Sequence, residues 1–184
     1  IAEAITNLAA ADVGDIKQIR LSANWMAPCG EPGEDAILYD TVKEVGLNFC
    51  PKLGVSIPVG KDSCSMHTTW ADAKGVQQKQ VAPLSLVVSS FAPVKDARLT
   101  LTPDLKPDPE GQSSFLVYVD LSPRTSGQET ASPLGATALA QVYGQLGDTH
   151  ADADAALLKR FFNAMQKIVK GGLAMAYHDR ADGG

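Results

Sequence analysis

Three short stretches hold the side chains that could do chemistry: Gly60 to Met66 (GKDSCSM), Glu3 with Asn7, and His178 to Gly184 (HDRADGG). In the first, a glycine closes the apolar run Val55 to Val59 and lets backbone approach a ligand. The residues after it offer an ammonium, a carboxylate and hydroxyls within one loop, a set suited to phosphate and metal chemistry. The same residues also read as a polar turn between two strands. The G-x-x-x-x-G-K-[ST] spacing of a P-loop is absent. Glu3 and Asn7 lie one helical turn apart and offer the oxygen ligands that Mg²⁺ takes, or else form a solvated helix face. In the terminal loop Asp179 and Asp182 flank Arg180 beside paired glycines. Two carboxylates there could hold metal ions that bridge nucleotide phosphates, or could pair with the arginine in a turn. No second histidine neighbours His178, so a zinc site has no support, and no base is placed beside Cys64.

Positioning these residues requires particular elements. Ile5, Leu8 and Ala9 predict a helix from Ala2 to Ala11, followed by a strand from Ile16 to Leu21, an irregular Ser22 to Met26 and a turn at Gly30 to Gly33. A long helix then starts with Glu34 and Asp35 in its first turn, carries the stripe Ile37, Leu38, Thr41, Val42, Val45 and Phe49, and ends at Pro51. Beyond the central loop, a hairpin runs from Met66 to Trp70, turns over Ala71 to Gly75 and returns from Gln77, leading into the apolar run Leu84 to Phe91. This predicts an α+β unit with an antiparallel sheet over residues 1–94. A second unit over 99–184 reads as a strand at Phe115 to Leu121, a Pro/Ser/Gly-rich loop from Ser122 to Ser132 and a helix using Ala138, Leu139, Val142, Tyr143 and Leu146. A further helix faces the core through Leu157, Phe161, Met165 and Ile168 and stops at Gly171-Gly172, before a strand from Leu173 to Tyr177.

Bulk composition narrows the function classes. The 184 residues are 45% hydrophobic and 20% charged, enough for a sizeable core, and the net charge of -5 argues against a nucleic-acid surface. Cys29, Cys50 and Cys64 form no C-x-x-C pair, which suits a reducing, cytoplasmic setting. No stretch reaches the roughly 18 apolar residues of a membrane span. The opening at Ile1 and the close at Gly183-Gly184 lead us to expect a piece of a longer polypeptide.

The runs IAEAITNLAAADVGDIKQIRLSANWMAPCGEPGEDAILYD, GVSIPVGKDSCSM, PLSLVVSSFAPV, LGATALAQVYGQLGD and AYHDRADGG carry, in order, a resemblance to phosphoribosylformylglycinamidine synthases of the large, single-chain type. The resemblance covers nearly the whole chain. It implies an aminoimidazole-ribonucleotide-synthetase-like fold, mixed α/β, with an A domain of antiparallel sheet and flanking helices (1–94) followed by a truncated α/β B domain (99–184). The family converts formylglycinamide ribonucleotide, ATP and glutamine to formylglycinamidine ribonucleotide, ADP, phosphate and glutamate. ATP activates the amide oxygen, and ammonia from a separate glutaminase domain displaces it. The implied partners are therefore ATP, the ribonucleotide, and the first A/B half and glutaminase domain of the same polypeptide. The isolated piece is expected to be inactive and to self-associate.

By the same resemblance Glu3, Asn7 and Asp179 are Mg²⁺ ligands of an auxiliary site holding ADP. Gly60, Lys61 and Ser63 face the catalytic cleft and touch ATP or the ribonucleotide. Ala181 adjoins the auxiliary nucleotide at a position where the family usually has serine. The rival readings are a non-catalytic scaffold or assembly module, or another ATP-dependent synthetase or kinase of the same superfamily.

Overall fold

The computed structural model describes residues 1–123, 134–147, 149–150 and 152–180. In chain order they form helix α1 (Ala2–Leu8), a 3-10 turn (Ile16–Gln18), strand β1 (Arg20–Met26), helix α2 (Glu34–Lys43), a π-helical segment (Glu44–Phe49) and helix α3 (Cys50–Leu53). Strands β2 (Ser56–Ser63), β3 (His67–Ala71), β4 (Gln77–Val81) and β5 (Ser85–Phe91) follow, then a 3-10 turn (Ala97–Leu99) and helices α4 (Ala138–Val142) and α5 (Ala155–Gly171). The chain is mixed α+β and divides into two compact units, Ile19–Phe91 and Ile1–Gln18 with Ala92–Gly184.

In the Ile19–Phe91 unit, β1 is the middle strand of a three-stranded sheet in the order β2-β1-β5. Residues 16–18 form the 3-10 turn, so the strand starts at Arg20 and takes in the Ser22 to Met26 stretch expected to be irregular. Leu21 and Ala23 are buried while Arg20 is exposed, the alternation of a strand with one covered face. β1 pairs antiparallel with β5 but parallel with β2, so the sheet is mixed rather than antiparallel. The physical reason is the long helical crossover between β1 and β2, which returns the chain in the same direction. The expected hairpin forms between β3 and β4, closed by Asp72, whose Oδ1 accepts from the N–H groups of Lys74 and Val76.

The crossover does not stop at Pro51. Its helical path widens over Glu44–Phe49 and continues to Leu53, ending at Gly54 in the left-handed region with φ 84°. A wide turn shifts the preceding carbonyls that a proline ring would otherwise strike, and Pro51, which has no N–H, sits in the first turn of α3. Of the expected stripe, Leu38, Thr41, Val45 and Phe49 are half-buried, whereas Ile37 and Val42 are exposed.

In the other unit α1 packs against α5. Its buried apolar side chains include Ile5, Ala9, Val13, Ile16, Leu158, Phe162, Met165 and Val169. Asp154 caps α5 by accepting from the Leu157 N–H at 2.6 Å, and Gly172 closes it at φ 62°, as the paired glycines predicted. The buried face of α5 runs through Leu158, Phe162, Met165, Gln166 and Val169, so the expected face is turned by about one residue, with Leu157, Phe161 and Ile168 left half-buried. α4 is shorter than expected, and Leu139, Val142, Tyr143 and Leu146 are exposed. Neither 115–121 nor 173–177 forms a strand, because no described neighbour completes a ladder beside them. Most of the expected loop from Ser122 to Ser132 lies outside the described residues.

Candidate functional site

α1 presents Glu3 and Asn7 to solvent while its opposite face buries Ile5 and Ala9, so the i, i+4 spacing puts both polar side chains on the open side of the helix. Thr6, between them, donates from Oγ1 to the Glu3 carbonyl at 2.9 Å. The carbonyl of Thr6 in turn accepts from the Tyr177 hydroxyl at 2.8 Å. That bond ties the segment bearing His178 and Asp179 to α1 within the turn that holds Glu3 and Asn7. The Tyr177 ring lies 6.4 Å from that of Phe161, and its N–H donates to Thr102 at 3.0 Å. Burial, with the Asp179 charge adding to it, pushes the Tyr177 phenol well above its usual range, so it stays protonated and able to donate.

Asp179 is half-buried, and its carbonyl is in contact with Nδ1 of His178. Glu3, Asn7 and Asp179 all belong to one compact unit. Their donors are a carboxylate, an amide and a second carboxylate, oxygen groups of the kind a hard divalent cation prefers. Among the described residues no three His, Cys, Asp or Glu side chains cluster as a metal site, so a cation here would need the Asn7 amide or a nucleotide to complete its shell. Ala181 and Asp182 lie outside the described residues.

The second candidate is on β2. The structure places Gly60, Lys61 and Ser63 within this strand, not in a loop. Lys61 and Ser63 are two apart and so project from one face, where Lys61 Nζ donates to Ser63 Oγ at 3.2 Å; Asp62 projects from the other. Gly60 sits opposite Ala23, and a Cβ there would come within 3.2 Å of the Ala23 carbonyl oxygen, so close strand approach favours glycine.

The register sets Asn24 beside Lys61 and Met26 beside Ser63 on the same face, with Val87 of β5 across from Asn24. The Asn24 Oδ1 is buried and has no hydrogen-bond partner among the described residues. A buried amide oxygen without a partner is uncommon, and beside a lysine and a serine it adds a third polar group to this face. Asn24 falls in Ser22 to Met26, a stretch that reads as irregular in the sequence. An asparagine amid the alternating Leu21, Ala23 and Trp25 was the available signal.

A model of the FGAR-AT PurM_N-like domain matches residues 1–93, just over half of the chain. The match takes in α1 with Glu3 and Asn7, and β2 with Gly60, Lys61 and Ser63; Asp179 lies beyond it.

Proposed function

Because the chain belongs to the FGAR-AT PurM_N-like domain family, which ties it to a ligase of purine biosynthesis, we propose that it is part of the enzyme converting formylglycinamide ribonucleotide, glutamine and ATP to formylglycinamidine ribonucleotide. The observation that carries this reading is the match across residues 1–93, which includes two of the three expected metal ligands and the whole GKDS strand segment.

Glu3, Asn7 and Asp179 hold Mg²⁺ at an auxiliary nucleotide site, and the Tyr177 to Thr6 hydrogen bond supports this by tying the Asp179 segment to α1. When bound, the cation supplies positive charge that screens ADP phosphates. Ala181 would adjoin that nucleotide. Gly60, Lys61 and Ser63 contact ATP or the ribonucleotide. The Lys61 ammonium offers donors to anionic oxygens, Ser63 a hydroxyl, and Gly60 keeps the strand close to β1. The first half of the polypeptide completes the cleft, and its glutaminase domain supplies ammonia. Residues 1–94 and 99–184 correspond to an A domain and a truncated B domain of a cytoplasmic protein; no described helix is long and apolar enough to cross a membrane. The test is to follow amidine formation by the full-length polypeptide with ATP and glutamine. Product that depends on both substrates supports the assignment, and ATP turnover without amidine product points to another synthetase of the superfamily.

A further inference from the structure

We infer that Cys29 and Cys64 form an oxidisable dithiol that can close to an intrachain disulfide, linking the end of β2 to the segment after β1. The backbone already holds the two residues side by side. The Cys29 N–H donates to the Cys64 carbonyl at 3.0 Å, and Pro28 and Ser65 form an antiparallel bridge next to them. Ala27 reinforces this on its other side, donating to Ser63 at 2.9 Å and accepting from Met66 at 3.3 Å. Adjacent residues on paired backbones have the separation that a disulfide spans.

The Cys64 thiol is pushed up to about 11, chiefly by the neighbouring Cys29 side chain, then by burial and by the charge of Asp62. Cys64 is exposed, so a small oxidant can reach the pair, whereas Cys50 is buried.

The chemistry is exchange with a small-molecule disulfide such as oxidised glutathione. One cysteine thiolate attacks a glutathione sulfur, the glutathione S–S bond breaks, and a glutathione thiolate leaves and takes up a proton. The second cysteine, deprotonated, then attacks the protein-side sulfur of the mixed disulfide and expels the second glutathione. Two protein thiols and one oxidised glutathione thus give one protein disulfide and two reduced glutathiones.

To test this, the native full chain is incubated with oxidised glutathione, remaining thiols are capped with N-ethylmaleimide, and the protein is digested without reductant for mass spectrometry. We expect the Cys29 and Cys64 peptides joined with loss of two hydrogens, release of that link by dithiothreitol, and Cys50 recovered capped. In Cys64→Ser, Cys29 should instead carry glutathione or maleimide, with circular dichroism reporting an unchanged fold. Recovery of Cys29 and Cys64 capped or separately glutathionylated in the wild type, or of either joined to Cys50, would overturn the inference.

Discussion

Lys61 is where a single side chain separates an ordinary exposed strand residue from a functional one. It is solvent-exposed on β2, where its ammonium bonds Ser63, so its removal should change stability by no more than roughly 0.5 kcal/mol. If it faces a phosphate in the assembled cleft, Lys61→Met in the full-length enzyme should lower kcat about a hundredfold, on the order of 3 kcal/mol in the transition state, at an unchanged Tm. Near-normal activity would return it to the strand surface. Gln166 is the opposite case, a buried polar side chain with a structural task. Its Oε1 accepts from the N–H groups of Val13 at 2.8 Å and Gly14 at 2.7 Å. Gln166→Leu should cost on the order of 2 kcal/mol in urea unfolding, because the Gly14 N–H loses its acceptor and the Val13 N–H keeps only the Ala11 carbonyl. The sequence showed Lys61 plainly. It hid Gln166, since a lone glutamine on a helix carries no sign that it will turn inward.

At the scale of elements, α5 shows what periodicity resolves and what it does not. Leucine, phenylalanine and methionine at helical spacing identified the helix and its glycine stop, but Phe161 and Phe162 are adjacent, and either could serve the core on spacing alone. Packing decides: Phe162 is fully buried and Phe161 is half-buried. Phe162→Ala should therefore cost about 3–5 kcal/mol and Phe161→Ala less than about 2 kcal/mol, read from chemical denaturation midpoints. A larger loss for Phe161→Ala than for Phe162→Ala would put the face back where the sequence suggested. β2 was legible as an apolar run but not as a strand that continues through GKDS, because polar residues on an open face look like a loop until their ladder to β1 is seen.

The β3–β4 hairpin, by contrast, was legible from its turn residues. Its closing Asp72 carboxyl is held below the usual range by the N–H groups of Val76 and then Lys74, opposed in part by burial, with the Gln78 amide adding the smallest share. With the folded value depressed, the stabilisation is present above about pH 4, near the unfolded value, and is lost as pH falls through the folded one. Asp72→Asn should flatten the acid limb of a stability profile; an unchanged limb would assign it to other carboxylates.

At the scale of the whole molecule, composition and motif order were enough to place the chain in its family over residues 1–93. The second half was less legible. Phe115, Leu116, Val117 and Tyr118 read as a strand because they are apolar and β-prone, yet each is more than three-quarters exposed, since a strand needs neighbours that no local pattern supplies. On the sheet, Leu86 and Val88 are half-buried while Val87 and Phe91 are exposed, at 53% and 59%, so the more open face of β5 is the one opposite to that of Leu86 and Val88. Self-association through such a face should appear in sedimentation as a mass that rises with concentration over tens of micromolar, a rough range for weak interfaces. Sedimentation as a constant monomer over that range would remove it.

The proposed Mg²⁺-nucleotide site at Glu3, Asn7 and Asp179 offers the most direct test. The full-length protein, purified without added nucleotide, is denatured and the released ADP is quantified for the wild type and for Glu3→Gln and Asp179→Asn. Near-stoichiometric ADP is expected from the wild type and little from either variant, with both variants folded. Equal ADP from all three proteins, or none from the wild type, would contradict the proposed site.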